Sequence, residues 1–253
     1  NYQNALSSCF MGATQALWEP LEARESLVES EIEPLKNITL FDPEAQVEVA
    51  FLNAVESGRR LARDLAGTNP ERFAPPGFAD YCLQQLHNSA VELQIIDDQD
   101  FIEKEYPLLA AVARASKQVT RHQARVVNMQ YVGEGPIDKT LILIGKGVTY
   151  DTGGADVKTG GHMAGMSRDK GGAGAVAGFM KTLAEYKPKG LKVMASLGLV
   201  RNSIGADCFV ADEIINSHAG VRVRIGNTDA EGRLVMADLL SHGREKAKGE
   251  VAP

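Results

Sequence analysis

The sequence predicts an α/β protein with a mixed, mostly parallel sheet that is flanked by helices, and three observations lead to this prediction. Apolar β-like runs alternate with helical patterns beyond residue 77, an order that is typical of parallel sheets covered by helices. Two of these runs, 141–144 and 221–225, are followed by glycine-bearing turns that carry carboxylates. The composition is 44% hydrophobic and 24% charged over 253 residues, so apolar side chains suffice for a sizeable core.

The first part of the chain is predicted to be helical. Apolar residues recur at helical spacing within 1–25 and are interrupted at Pro20. Asp42-Pro43-Glu44 has the pattern of a helix start, with Asp as N-cap and Pro in the first turn. The apolar stripe that follows ends near Gly67, a plausible glycine cap. Residues 69–77 form the clearest linker-like turn cluster in the chain.

The remaining residues predict an alternation of helices and strands. Helices are expected over 78–87, 100–115 with a break at Pro107, 172–185, 211–217 and 232–246. Strands are expected over 91–96, 124–131, 140–144, 191–199 and 221–225. Ligands of such sheets bind in the crevice outside the carboxyl ends of the strands, so the acidic turns mark the expected site.

Charge and cysteine content exclude several classes of protein. The 27 Lys and Arg against 33 Asp and Glu give a net charge of −6, and this acidic balance argues against a nucleic-acid partner. Three distant cysteines indicate neither a disulfide framework nor a zinc site and favour reduced thiols, hence the cytoplasm. No apolar run reaches membrane-spanning length, so no membrane partner is expected. Because the sequence begins and ends near helical patterns, we expect a fragment or a processed chain.

Four carboxylates on three separate turns suggest a metal site. Asp151, Asp169, Asp229 and Glu231 would repel one another if they gathered without cations. Two divalent ions, spaced about 3.5–4 Å apart, would solve that problem. Oxygen ligands suit Zn²⁺, Mn²⁺, Mg²⁺ or Co²⁺. The simpler alternative is that each aspartate caps a helix or a turn.

Three basic residues near these turns have both a structural and a functional interpretation. Lys146 is either a surface lysine or a metal ligand, which requires a neutral amine whose pKa is lowered by burial and by a nearby dication. Lys158 is either exposed or an ammonium that stabilises an oxyanion. Arg233 is either part of a helix-surface ion pair or a bidentate anion holder. The neighbouring glycine runs fit neither of the common nucleotide-binding patterns.

Taken together, these residues resemble the leucyl aminopeptidase family, the two-metal M17 peptidases. The run 227–234 (NTDAEGRL) resembles the signature octapeptide of the family, and the runs 145–154 and 163–172 match in the same order. The similarity extends from about residue 44 to residue 245. Departures at 201–202 and 210–213 resemble a divergent animal branch of the family.

The resemblance implies a division of the chain and a fold. Residues 1–41 would be the end of an N-terminal domain, as a helical remnant, and 42–68 a bridging helix. Residues 69–253 would be the N-terminal portion of the catalytic domain, whose C-terminal part is missing here. That missing part would supply more sheet and the rest of the specificity pocket, so we expect the isolated chain to be weak or inactive.

The resemblance also implies a role for each site residue. Two divalent ions would be held by five matching ligands, with Asp151 and Glu231 shared between the ions, Asp169 and Lys146 at the tighter site and Asp229 at the other. Lys158 and Arg233 match the catalytic pair, and Arg233 would hold a bicarbonate that acts as general base. Lys158, Met166 and Asn227 match substrate-binding positions.

Two functional hypotheses remain open from the sequence. The first is a metal-dependent aminopeptidase that removes the N-terminal residue of peptides through a metal-bridged water, and an apolar N-terminal residue is expected. The family resemblance adds a homo-hexamer, built as a dimer of trimers, to this hypothesis. The second is a catalytically silent structural or interaction protein on the same scaffold, which the divergent segment 200–213 and the missing C-terminal part would allow.

Overall fold

The computed structural model describes residues 4–32, 35, 37–40 and 48–253. The helices are α1 Ala5–Ala16, α2 Leu21–Arg24, α3 Glu29–Ile32, α4 Val49–Gly67, α5 Pro75–Leu86, α6 Gln99–Glu105, α7 Pro107–Ala113, α8 Gly171–Tyr186 and α9 Glu231–Ala247. The strands are β1 Val91–Ile96, β2 Arg125–Val132, β3 Lys139–Asp151, β4 Leu191–Asn202, β5 Ile214–Asn216 and β6 Arg222–Arg224. The predicted helix start at 42–44 lies outside the described residues.

A four-stranded mixed sheet forms the centre of the fold, in the order β1-β2-β4-β3. The mixed α/β class with flanking helices is confirmed. The parallel part is smaller than expected, because β2 pairs antiparallel with both β1 and β4 and only β3 and β4 run parallel. Alternation of helices and strands predicted the elements but not their directions: the chain between β1 and β2 returns through α6 and α7 without crossing over to a parallel position.

The parallel pair β3–β4 positions the site. The chain leaves β3, crosses through α8 and re-enters the sheet as β4, the arrangement that a parallel pair requires. In the register of the pair, Asp151 at the end of β3 lies opposite Asn202 at the end of β4. Both strands run further than predicted, by seven residues in β3 and three in β4, so their last residues reach the acidic turns.

Helices cover the two faces of the sheet and give two hydrophobic cores. On one face, α5 and α8 pack on the strands and α4 packs on α8. On the other face, α7 and α9 pack on β3 and β4. Glycines allow these close approaches: a Cβ at Gly145 would meet Leu197 at 2.7 Å, and one at Gly198 would meet Val235 at 2.6 Å. The small residues of the sheet therefore set the depth at which the helices lie.

The helix predicted over 211–217 is wrong, because this segment forms β5 of the β5–β6 hairpin. Asp212 has φ 72°, a left-handed conformation that ends any helix at this point. Ser217 and Gly220 then close the turn, with the Gly220 amide donating to the Ser217 carbonyl at 2.9 Å.

The N-terminal helices are tied to α4 through one carboxylate. Asp64 accepts hydrogen bonds from Trp18 Nε1 at 2.9 Å, Arg24 Nη2 at 2.6 Å and Tyr81 Oη at 3.0 Å. The carboxylate raises the pKa of Arg24 through its hydrogen bond, against the opposing effect of burial.

The division of the chain into 1–41, 42–68 and 69–253 stays a prediction. Within the described ranges, no helix has the length and apolar character needed to span a membrane.

The close contact between α4 and α8 at Gly178 predicts that a larger side chain there lowers the stability of the protein. At Gly178 a Cβ would overlap the Gly58 carbonyl, so Gly178→Ala should lower the free energy of unfolding by about 1–3 kcal/mol. Gly12 lies in α1, exposed and with open space around it, and Gly12→Ala should be neutral or stabilising by up to about 1 kcal/mol. Urea unfolding of the two variants measures the contrast. Equal stability of Gly178→Ala and the parent would contradict this packing.

Candidate active site

The predicted site residues converge at the carboxyl ends of β3 and β4. Lys146 lies in the last part of β3 and Asp151 at its end. Asp169 lies two residues before α8, Asp229 lies in a single 3₁₀ turn, and Glu231 is the first residue of α9. Three separate turns therefore bring all four carboxylates and both lysines into one crevice, at the place that the sheet topology favours for a ligand.

Lys146 bridges two of the carboxylates. Its Nζ lies 2.8 Å from Asp169 Oδ1 and 2.8 Å from Glu231 Oε1. Burial disfavours the charge on this amine, but the hydrogen bonds to the two carboxylates outweigh burial, and the pKa of Lys146 is raised. This direction is opposite to the lowering expected for a ligand. Gly232 makes room for the amine, since a Cβ there would lie 2.8 Å from Lys146 Nζ.

Lys158 bridges the other two carboxylates. Its Nζ lies 2.8 Å from Asp151 Oδ2 and also contacts Asp229 Oδ1. Burial opposes the charge here too, and the two carboxylates outweigh it, so the pKa of Lys158 is raised. The side chain is 14% exposed, which excludes the interpretation as a free surface lysine. Each lysine thus neutralises one pair of the predicted ligands.

Three of the acids form a cluster suited to a cation. Ligand oxygens of Asp151, Asp169 and Glu231 all lie within 4.8 Å of one another. Asp169 Oδ2 and Glu231 Oε2 are buried without a hydrogen-bond partner among the described residues. Burial raises the pKa of Asp169, against the opposing effect of Lys146. Buried carboxylate oxygens without a donor are costly, and a divalent cation is the partner that would satisfy both.

Asp151 is held in place by groups that the sequence alone did not identify. Its Oδ1 accepts from Asn202 Nδ2 at 2.8 Å and from the Gly153 amide at 2.9 Å. Asn202 also donates to the Thr228 carbonyl at 3.1 Å, and the Thr228 hydroxyl donates to the Gly153 carbonyl at 2.6 Å. Asn202 and Thr228 are fully buried. The signal available in the sequence was a polar residue three positions after the apolar run 191–199.

The remaining predicted residues lie at the rim. Asn227 is exposed and its Oδ1 accepts from the Asp229 amide at 2.7 Å, so it caps the 3₁₀ turn that carries Asp229. Met166 is half-buried in the 3₁₀ turn before Asp169, and Arg233 is exposed on the first turn of α9. The positions agree with a rim around the acids. The predicted roles of these three residues stay predictions.

Comparison with known proteins decides the family. Residues 60–252 match the model of the cytosol aminopeptidase family, catalytic domain. This chain belongs to the cytosol aminopeptidase family. The resemblance inferred from the motif runs is therefore confirmed. A Caenorhabditis elegans protein named as a putative aminopeptidase is 42% identical over 248 residues, which are 97% of this chain and 47% of that protein.

Solved structures of other proteins share the fold. The bottromycin maturation enzyme BotP, in complex with Mn, has a TM-score of 0.79 and 30% identity, and the match covers 94% of this chain and 48% of that one. Leucyl aminopeptidase from Trypanosoma brucei, in complex with bestatin, has a TM-score of 0.70 and 28% identity over 76% of this chain and 36% of that one. The chain spans about half the length of the curated relatives it matches.

Asn202 offers a test of the electrostatics around Asp151. In Asn202→Asp a second buried carboxylate would face Asp151, which raises the pKa of the new group above its unfolded value. Stability should therefore fall as pH rises through the window between these two values. The deficit in free energy of unfolding relative to the parent should be small at pH 4 and at least about 2 kcal/mol at pH 7.

Urea unfolding at the two pH values measures this deficit. Asn216→Asp is the matched control, because Asn216 is exposed on β5, and the control should stay within about 0.5 kcal/mol of the parent. A deficit that does not depend on pH would mean that residue 202 does not face a charged Asp151.

Proposed function

We propose that this chain carries the metal centre of a metal-dependent aminopeptidase, which hydrolyses the N-terminal residue of peptides through a metal-activated water. The observation that carries the proposal is the cluster of Asp151, Asp169 and Glu231, with two buried carboxylate oxygens that lack a partner among the described residues. Membership of the family supports a peptidase. An apolar N-terminal residue is the proposed preference, in keeping with Met166 at the rim.

The donor set fits two divalent ions. Four carboxylates against two ammonium groups leave an excess of negative charge in the crevice, and deprotonation of Lys146 would increase it. The proposed ligands are Lys146, Asp151, Asp169, Asp229 and Glu231. Zn²⁺ or Mn²⁺ is the proposed metal, with Mg²⁺ and Co²⁺ as alternatives, and the Mn complex of BotP supports a divalent ion. The ions would supply Lewis acidity and a lowered pKa of bound water.

The two lysines would play different parts. Lys146 shares its carboxylates with the proposed ions, and it can act as a ligand only as a neutral amine. Lys158 would act as an ammonium, and its contacts with Asp151 and Asp229 raise the pKa of its amine. Its contacts with Asp151 and Asp229 keep the ammonium beside the proposed metal ligands. From there the ammonium would donate a hydrogen bond to the carbonyl oxygen of the scissile bond and stabilise the developing oxyanion.

The rim residues complete the proposal. The guanidinium of Arg233 offers the planar fork that holds a carboxylate-like anion with two hydrogen bonds, and bicarbonate is the proposed anion. Asn227 and Met166 would line the substrate pocket. Assembly into a homo-hexamer and a cytoplasmic location are proposed from the family, and the names of relatives as cytosol aminopeptidases support the location. No specific observation favours the alternative hypothesis, a catalytically silent structural or interaction protein.

Removal of one ligand tests the metal assignment. Asp169→Asn, in the full-length protein that contains this sequence, should lower the hydrolysis of an amino-acid amide by more than about 100-fold, beyond the usual cost of losing an outer-shell partner. The metal content of the variant should fall below the value of about two divalent ions per chain that is expected for the parent. Asp212→Asn, which changes an exposed carboxylate paired with Arg224, should alter neither quantity. Activity of Asp169→Asn at the parent rate would show that the ligand assignment is wrong.

Lys158 separates catalysis from metal binding. Lys158→Ala should lower kcat by about 100- to 1,000-fold, the cost of one oxyanion-stabilising donor, while the metal content stays at the parent level. Lys189→Ala, which removes an exposed lysine paired with Glu134, is the control and should retain kcat. Loss of the metal from Lys158→Ala, with activity restored by added Mn²⁺ or Zn²⁺, would assign Lys158 to the metal site instead.

Chelation gives a third test. Dialysis of the full-length protein against a chelator should abolish hydrolysis, and added Mn²⁺ or Zn²⁺ should restore it, because the buried acids alone provide no Lewis acid. Full activity after the metal has been removed to below one ion in ten chains would refute the metal-dependent mechanism. An intact, metal-free native assembly without any turnover would instead favour the structural protein.

A further inference from the structure

We infer that Asp156 is a positioning residue for the proposed reaction, which fastens the loop that carries Lys158 to the turn that carries Asp229. This role rests on the proposed function, in which the Lys158 ammonium stabilises an oxyanion beside the metal ligands. Asp156 lies outside the cluster of three acids in the crevice. Its carboxylate contacts the backbone of the turn at Thr228 instead.

The loop and the turn are joined by two hydrogen bonds in opposite directions. The Asp156 amide donates to the Thr228 hydroxyl oxygen at 2.7 Å, and the Thr228 amide donates to Asp156 Oδ2 at 2.7 Å. The Thr228 hydroxyl lies 3.2 Å from the same carboxylate oxygen and 2.6 Å from the Gly153 carbonyl, which accepts its hydrogen. Because hydrogen bonds are directional, this pair fixes both the separation and the orientation of the two segments.

The loop is closed and lies directly against Thr228. Gly154 has φ 69°, a left-handed conformation that glycine adopts without strain. A Cβ at Gly154 would lie 3.0 Å from the Thr228 hydroxyl oxygen, so the backbone of the loop has no room to move closer. The Lys158 amide donates to the Thr152 carbonyl at 2.9 Å and closes the loop. Asp156 therefore holds a compact unit that has Lys158 at its end.

The pair adjoins two side chains of the candidate site. Lys158 follows Asp156 by two residues, and Asp229 follows Thr228 directly. Lys158 Nζ contacts Asp229 Oδ1 and lies 2.8 Å from Asp151 Oδ2. A shift of the loop along the turn would move the ammonium relative to both carboxylates. A displacement of about 1 Å at a reacting centre can lower a rate by about 100-fold, so the anchoring of this loop bears on catalysis.

Asp156 and Thr228 differ in how firmly they are held. Residues 155–157 are exposed, and within the described part of the chain their hydrogen bonds to other segments all go to Thr228. Thr228 is fully buried, and its carbonyl accepts from Asn202 Nδ2 at 3.1 Å. A rigid turn thus anchors an exposed loop, and the bond from the Thr228 amide to a carboxylate is the stronger, charge-assisted kind.

The ion pairs of Lys158 cannot hold the loop once the site is loaded. Asp151 and Asp229 are proposed metal ligands, and a divalent ion is the largest local charge in such a site. It would therefore weaken the attraction of these carboxylates for the ammonium, which must then face the substrate. The bonds between Asp156 and Thr228 use none of the proposed ligand side chains. They keep the loop in place when the ion pairs no longer do.

Two substitutions of Asp156 test the hydrogen bond in the full-length protein. Asp156→Ala removes the acceptor, so kcat for an amino-acid amide should fall at least about tenfold, the cost of one hydrogen bond to a charged group, while the metal content is unchanged. Asp156→Asn keeps an acceptor oxygen and should stay within about threefold of the parent kcat. Asp207→Ala is the matched control, because Asp207 is 65% exposed in another loop and pairs with Arg114 at the surface. It should retain the parent kcat.

A double-mutant cycle tests whether Asp156 acts through Lys158. In a Lys158→Ala background, Asp156→Ala should lower kcat by less than about twofold further, because the ammonium that it positions is gone. The full loss in that background would give Asp156 a separate role and overturn the inference. Equal loss in Asp156→Asn and Asp156→Ala would also overturn it, because the charge and not the acceptor oxygen would then matter.

Hydrogen exchange tests the anchoring independently of activity. In the metal-free full-length protein, Asp156→Ala should speed the exchange of the Thr228 amide by at least about tenfold, measured by mass spectrometry of the segment 226–230. Asp156→Asn and Asp207→Ala should exchange as the parent does, within about threefold. Parent-like exchange in Asp156→Ala overturns the inference. If the parent hydrolyses no peptide or amide, the proposed function has failed, and the exchange result alone decides whether Asp156 fastens the loop.

Discussion

The gathering of like charges at the carboxyl ends of β3 and β4 is the constraint on which the candidate site depends. Four carboxylates in one crevice would repel one another at neutral pH, at a cost of several kcal/mol for each close buried pair. The chain meets this cost with two lysines, each of which lies between one pair of acids. Two carboxylate oxygens still lack a partner among the described residues. The fold therefore keeps the acids together and leaves part of their charge uncompensated, which is the condition for binding cations.

The scaffold brings these charges together through backbone proximity. A side chain at Gly232 would overlap the Lys146 amine, and one at Gly172 would crowd the Lys146 backbone. The starts of α8 and α9 can therefore lie directly beside the end of β3. Because Asp169 precedes α8 and Glu231 begins α9, the packing depth of these two helices determines the distance between their carboxylates. Glycines thus set the site geometry at Gly172 and Gly232, as Gly145 and Gly198 set the core packing.

The sequence predicted the elements and the acidic residues better than their connections. Runs of apolar residues located the strands and helices of the sheet because burial imposes periodicity, and the turns after strands located the acids. Strand direction was not predictable from alternation, since the antiparallel return to β2 uses helices just as a crossover does. The second strand of the hairpin was predicted, over 221–225, but the first, Ile214–Asn216, was missed because it is only three residues long. Asn202 was missed because a single amide at a strand end shows its importance only when Asp151 lies opposite.

Asp238 of α9 links this helix to α7 and to the turn between β5 and β6. This fully buried carboxylate accepts from the Leu108 amide at 2.7 Å, at the start of α7, and from the His218 amide beside the β5–β6 hairpin. One side chain of α9 thereby accepts hydrogen bonds from the backbone of two other elements that lie far apart in the sequence. Opening any of the three exposes the same charge, so they are expected to open and close as one cooperative unit on the timescale of amide hydrogen exchange. Because α9 begins at Glu231 in the crevice, such an opening would reach the candidate site.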